Sequence, residues 1–289
     1  MGNKFFFMRF PEGRKKALTF SYDDGVREDR RLVELLDKYG MKGTFNLNSG
    51  IYPTEGGHTR MMKDELTELL KDRPHEVATH AFSHPFLGTL PSAMIAYEII
   101  KDREALEEQF GTIVRGHAYP MGSFNDKVIE VLRSCGVAYA RTVASTEKFD
   151  LPSDWLRLNP TCHHKNPRLM ELAQKFAEMQ VSYHSKLFYL WGHSYEFNEK
   201  HDNNWHVIEE FCEYMGGRGD EIWYATNIEI FEYMEDFDRL IFSADGDIVK
   251  NPTARTLWFD FEGQSFSIAA GESFRISERR DPNVKGYCV

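Results

Sequence analysis

The sequence predicts an α/β protein: a TIM-type (β/α) barrel followed by a small C-terminal antiparallel β appendage. Short apolar runs alternate with amphipathic segments of helical period up to about residue 237, and strict alternation of this kind implies parallel strands joined by helical crossovers. Roughly 220 residues for seven or eight such units suits a closed barrel better than an open sheet. Beyond Arg239 the period falls to two, as in Leu257, Phe259 and Phe261 set against Trp258 and Asp260, and Asp-Gly and Glu-Gly pairs punctuate the runs. The expected division is a barrel over residues 1–238 and an appendage over 239–289.

Each element has its own signal. Ala17–Phe20 is a short apolar run that reads as a buried strand, and Leu32, Leu35, Leu36 and Tyr39 recur at helical spacing before Gly40. Thr44–Asn48 is a second strand, Asp64–Leu70 a second helix, and Glu76–Thr79 a third strand ending at His80. A long helix is expected over Ser92–Phe110, a strand near Gly116–Tyr119, a helix over Lys127–Cys135 and a strand over Val137–Ala140. Leu156–Leu158 reads as a further strand, Pro167–Met179 as a helix and Leu187–Trp191 as the clearest late strand. Helix Asn204–Met215 and strand Ile222–Ala225 complete the alternation. Leu240–Phe242, Thr256–Phe261, Ser265–Ile268 and Ser273–Ile276 are the short strands of the appendage, which carries no constellation of titratable residues.

Composition narrows the function. The 289 residues carry a formal net charge of -10 with no cluster of Lys and Arg, which argues against nucleic acid as a partner. No apolar run approaches the roughly 20 residues of a membrane span, so no membrane partner is expected. Met1–Phe10 has no apolar core or small-residue cleavage site, and Cys135, Cys162, Cys212 and Cys288 are widely spaced with no C-x-x-C pair. The expectation is a reduced, cytoplasmic protein.

The chemistry gathers at predicted strand ends. Asp23-Asp24-Gly25 follows the first strand directly; two adjacent carboxylates repel, and burying both ionised needs a cation or hydrogen-bond donors. His80 and His84, four apart after a short strand, can present nitrogens to one metal, and with an Asp they make a two-His, one-carboxylate set that leaves positions open for water and substrate. His193 follows the Leu187–Trp191 strand, where an imidazole can act as a general acid. His163 and His164 follow the Leu156–Leu158 run and are expected to face the same pocket.

These residues carry a family resemblance. Thr19-Phe20-Ser21-Tyr22-Asp23-Asp24-Gly25 resembles the first motif of the polysaccharide deacetylases, carbohydrate esterase family four, and His80-Ala81-Phe82-Ser83-His84 resembles their H-[ST]-x-x-H motif with Ala81 in place of Ser or Thr. Lys42-Gly43-Thr44-Phe45 between them resembles the family's second strand, and the likeness extends over about residues 15–235. It implies a distorted barrel in which Asp24, His80 and His84 bind a divalent metal (zinc, with cobalt or another divalent ion as alternatives). It also implies that Asp23 is the general base toward the attacking water and His193 the general acid. A metal lowers the pKa of its water from near 15.7 to about 7, so a weak carboxylate base suffices.

Ala118-Tyr119-Pro120-Met121-Gly122 resembles the third motif, R-x-P-x-G, with Ala118 where the arginine belongs. Met121 then holds the backbone N–H that serves the oxyanion. Arg141, at the end of its strand, is expected to replace the missing arginine in preference to Arg115, and Met121, Arg141 and His163 are placed at the substrate. Asp154-Trp155 is a displaced candidate for the fourth motif. The resemblance implies a metal-dependent hydrolase that removes N- or O-acetyl groups from a carbohydrate. The alternatives are a hydrolase of non-peptide amides in a small substrate and a catalytically weak glycan-binding relative.

Overall fold

A computed structural model of the chain describes residues 5–53, 60–201 and 203–284, with the side chains of 199–201 outside the description. Cys288 lies outside the described residues. Eight parallel strands form the main sheet. In chain order they and their neighbours are β1 (Phe6–Arg9), β2 (Lys16–Asp23), α1 (Asp29–Lys38), β3 (Gly43–Leu47), α2 (Lys63–Leu70), β4 (Glu76–Thr79), α3 (Ser92–Phe110), β5 (Gly116–Ala118), α4 (Asp126–Ser134) and β6 (Tyr139–Arg141). Then come β7 (Cys162–His163), α5 (Leu169–Glu178), β8 (Lys186–Gly192), α6 (Trp205–Met215), β9 (Ile222–Tyr224) and α7 (Asn227–Asp238).

The sheet order is β6-β5-β4-β3-β2-β8-β7, with β9 also paired to β2. Every residue of β2 is buried, as expected for a parallel strand covered on both faces. The sheet curls because the chain after β6 returns along its own edge: Leu158 bridges Arg141, and β7 pairs with β8 at Leu190 and Trp191. The result is a curled, distorted barrel, the form that the family resemblance implies. Its helices pack outside over two apolar clusters, one under α1, α2, α5 and α6 and one under α3 and α4.

The run Leu156–Leu158 is not a strand. Trp155–Arg157 forms a 3-10 turn because the Asp154 carboxylate accepts from the Leu156 N–H, and Leu158 alone reaches the sheet. The strand expected over Val137–Ala140 lies slightly later, at Tyr139–Arg141, which puts Arg141 inside it.

The appendage holds β10 (Ile241–Phe242), β11 (Ile248–Lys250), β12 (Leu257–Phe261), β13 (Gln264–Ile268), β14 (Ser273–Arg275) and the short α8 (Ile276–Arg279). It forms two three-stranded sheets, β10-β11-β14 and β1-β12-β13, so the N-terminal Phe6–Arg9 segment joins strands some 250 residues away. A buried Arg9–Asp260 ion pair at 2.6 Å fixes that junction, and Arg9 also donates to the carbonyls of Ser182 and Tyr183. The appendage shares an apolar cluster with Ala17, Tyr139, Leu187 and Tyr189, so it covers the barrel at the strand starts, away from Asp23 and Asp24.

Candidate active site

The C-terminal ends of the barrel strands carry the titratable residues, because that is where parallel strands release the chain into loops. At the end of β2 the backbone turns through a left-handed Asp24 (φ 84°) and Gly25 (φ 63°). This turn sends two consecutive carboxylates to different neighbours. Asp23 is 2% exposed and points to Arg141 and Asn46, whereas Asp24 is partly open and meets Arg60 and His84.

Asp23 Oδ2 accepts from the Arg141 guanidinium, and Oδ1 accepts from Asn46 Nδ2 at 2.8 Å. Arg141, rather than Arg115, is therefore the arginine that meets Asp23. It is 1% exposed and lies behind Asp23 rather than on the substrate surface, with its guanidinium carbon 4.4 Å from the Trp191 ring centroid. Arg115 goes elsewhere and lies over the Phe231 ring. Burial alone would raise the Asp23 carboxyl, but Arg141 first, then His80 and His193, hold it well below the usual carboxylate range.

The His80–His84 segment is a loop rather than a helix. Ala81 (φ 61°) and His84 (φ 55°) are both left-handed, which costs about 1–3 kcal/mol each and persists only where surroundings enforce it. The fold brings the two rings to 4.8 Å between centroids. His80 Nδ1 sits 2.7 Å from the Ala118 carbonyl; donating there fixes the tautomer and leaves Nε2 with a free lone pair. Burial pushes the His80 imidazole down to about 4 despite Asp23 and Asp24 nearby, and it lowers His84 as well, so both rings are neutral at pH 7. Ligand atoms of Asp24, His80 and His84 all lie within 4.8 Å of one another. Arg60 grips Asp24 at both its carboxylate (2.6 Å) and its carbonyl (2.7 Å) and so steadies the turn.

His193 follows β8 and faces both ways. Its Nε2 lies 3.7 Å from Asp23 Oδ2, and its Nδ1 lies 3.4 Å from Glu196 Oε2. The same carboxylate oxygen is 3.1 Å from His163 Nε2 and 3.2 Å from His164 Nε2, and Lys165 Nζ takes Oε1 at 3.0 Å. Burial would raise Glu196, but the three imidazoles hold it far below its ordinary value. Burial would lower His193, yet Glu196 and then Asp23 and Asp24 outweigh it and move the ring upward from 6.5.

His163, His193 and Glu196 also converge closely enough to suit a metal. Their protons point to another role. The Lys165 backbone N–H donates to His163 Nδ1 at 3.1 Å, so the neutral ring carries its proton on Nε2, toward Glu196. The group is a cluster of three imidazoles gathered within 3.4 Å of one carboxylate oxygen. Gly192 has to lack a side chain here, because a Cβ would stand 2.1 Å from His164 Nδ1.

Met121 sits in the Pro120–Gly122 turn with φ 54° and a 59% exposed side chain, beside exposed Val143. Asp154-Trp155 is remote from this constellation: Trp155 packs edge-on against Phe231 at 5.1 Å, on the cluster shared with the appendage. Glu196 is the acidic partner of His193, and an acid three residues past a strand-end His was the available signal for it. Arg60 lies in a loop and had none.

Known proteins show what this chain is similar to. Residues 11–140 match the family model for polysaccharide deacetylase. An uncharacterised protein of Bacillus subtilis (strain 168), YlxY, is 29% identical over 101 residues, a match spanning 35% of this chain and 29% of that protein. Among solved structures, a Mycobacterium smegmatis protein assigned to the polysaccharide deacetylases aligns with a TM-score of 0.56 at 16% identity, over 79% of this chain and 93% of that one. The Xyl-CE4 domain of a multidomain xylanase from the hindgut metagenome of Trinervitermes trinervoides aligns at 0.51 and 14% identity, over 76% and 92%. Both structural likenesses concern the fold. Residues 11–140, a little under half of the chain, are thus similar to the polysaccharide deacetylases, with alanines at 81 and 118.

Proposed function

We propose that this protein is a metal-dependent hydrolase that removes acetyl groups from the nitrogen or oxygen of a carbohydrate. One observation carries the reading: Asp24, His80 and His84 converge within 4.8 Å at the strand ends, with Asp23 and His193 beside them. The donor set fits a divalent ion, because His80 keeps Nε2 free and both imidazoles are neutral. Two imidazoles and one carboxylate with open positions match a catalytic zinc site, so zinc is the ion we assign. When bound, the metal supplies Lewis acidity and a water of lowered pKa.

The chain's own residues handle the protons. Asp23, kept ionised by Arg141, accepts the proton of the attacking water. His193, raised by Glu196, holds a proton for the leaving amine or alkoxide as the acyl C–N or C–O bond breaks. Only 3.7 Å separates Asp23 Oδ2 from His193 Nε2, so the two act on one small reacting centre. The Met121 backbone N–H is the donor we assign to the oxyanion, where such a group is worth about 3–4 kcal/mol.

The exposed Met121 side chain, next to Gly122 and the exposed Val143, favours a second reading, hydrolysis of a small non-carbohydrate amide. Acetate release from acetylated chito- and xylo-oligosaccharides, measured beside a panel of small amides, separates the two. The leading reading expects release from the sugars that chelation abolishes and zinc restores. Release from the amides alone moves the assignment to the second reading, and turnover of neither class by zinc-loaded protein rejects both.

A further inference from the structure

The loop between His80 and His84 has two left-handed residues, Ala81 and His84, so its surroundings must hold it. The support comes from below. Long helix α3 buries two acids one turn apart, Glu98 (8% exposed) and Asp102 (0%), on the same stripe as Ile95, Ile99 and Leu106. Acids on an apolar stripe need partners, and both find theirs in the loops at the strand ends.

Asp102 Oδ1 accepts from the Ser49 N–H at 2.7 Å and the Ser49 hydroxyl at 2.6 Å, and Oδ2 accepts from the His80 N–H at 3.2 Å. Glu98 Oε2 accepts from the Ser83 N–H and Oε1 from the Ser83 hydroxyl, each at 2.7 Å, and the Glu98 carbonyl accepts from the Phe82 N–H at 3.1 Å. From the other side, Asn48 Nδ2 donates to the carbonyls of His80 and Ala81. Gly50 allows the close approach: its N–H donates to the Phe82 carbonyl, and a Cβ there would stand 2.4 Å from that oxygen.

We infer that Glu98 is a positioning residue for the metal-ligand loop, and that with Asp102 it forms a carboxylate clamp on that loop. Glu98 bonds Ser83 and Phe82 rather than the imidazole of His80 or His84. It acts through the Ser83 backbone, the residue before His84, and so sets where that imidazole stands. Asp102 does the same for His80 through its N–H. The inference rests on the reading of His80 and His84 as metal ligands.

The test is the zinc affinity of the full chain, measured by competition with a chromogenic chelator, with thermal melts and far-ultraviolet dichroism as controls on folding. Glu98→Ala is expected to lower zinc affinity by about 10–100-fold, the usual effect of losing an outer-shell partner. Glu98→Gln can still accept from the Ser83 N–H and donate to its hydroxyl, so its affinity is expected to stay close to wild type. Ser83→Ala, which removes one of the two bonds without disturbing the helix, is expected to fall between them. A Glu98→Ala protein that melts earlier but binds zinc as wild type does would show a purely structural role and overturn the inference. So would a Glu98→Gln protein as impaired as Glu98→Ala. If Glu98→Ala does not fold, unchanged affinity in Ser83→Ala overturns it instead. Wild-type protein that takes up no zinc overturns the metal reading itself, and the clamp with it.

Discussion

Replacing Arg141 by Met should be among the most damaging single changes in the barrel. Asp23 and Arg141 are 2% and 1% exposed, so the substitution leaves a largely desolvated carboxylate without its cation. Asp29 shows what burial does to an acid of this protein that has no cation beside it: accepting only from the Ser194 hydroxyl and the Val26 N–H, its carboxyl is pushed up to about 8. Without Arg141, Asp23 should rise from well below 3.8 toward that range. At pH 7 an acid whose folded value has passed 7 and whose unfolded value is near 3.8 loses roughly 3 units of favourable ionisation, or about 4 kcal/mol.

The sign follows from the direction of the shift. In the wild type the depressed Asp23 contributes stability that is complete above about 3.8 and is lost as pH falls through its lower folded value. In Arg141→Met the raised carboxyl keeps its proton when folded and releases it near 3.8 when unfolded, so the deficit is widest near neutrality and narrows toward about pH 4. Urea denaturation of chelator-stripped protein measures it, so that no bound cation compensates. The double variant Asp23→Asn/Arg141→Met, with no stranded charge, should recover most of the loss. An Arg141→Met deficit below about 1 kcal/mol at neutral pH, or a double variant no better than the single, would refute the pairing as the element that holds Asp23 ionised.

Two further outcomes test the surroundings. Asp29 holds its proton in the folded chain and releases it near 3.8 when unfolded, so it lowers stability progressively as pH rises from about 4 to about 8; Asp29→Asn should flatten that slope, and an unchanged slope in urea melts across the window would remove Asp29 as its source. Trp155→Ala should cost roughly 2 kcal/mol through its lost packing on Phe231 and leave kcat/KM unchanged, whereas a large loss of activity in a well-folded variant would return Asp154-Trp155 to the site.

Much of the architecture was legible because its causes are local. Alternating apolar runs fix which segments become strands, and Asp23-Asp24 and His80–His84 follow two of those runs directly, so the strand ends bring them together. Arg141 could be placed for the same reason. Leu156–Leu158 misled because three residues of apolar pattern do not outweigh a capping Asp154 at its start. Phe6–Arg9 was silent as a strand because its partner, β12, lies at the other end of the chain. Glu196 and Arg60 serve the site from a turn and a loop with no periodic pattern, so only the folded geometry reveals their partners. Glu98 and Asp102 left a trace, two acids on the buried stripe of α3, but their partners Ser83 and Ser49 come from separate loops.

The central claim is that Asp24, His80 and His84 hold one divalent metal. Elemental analysis of the wild type and of His80→Asn, each equilibrated with zinc and freed of excess, tests it most directly. The account predicts close to one zinc per wild-type chain and close to none in a folded His80→Asn protein. Equal zinc content in the two, or a wild type that retains none, would contradict it.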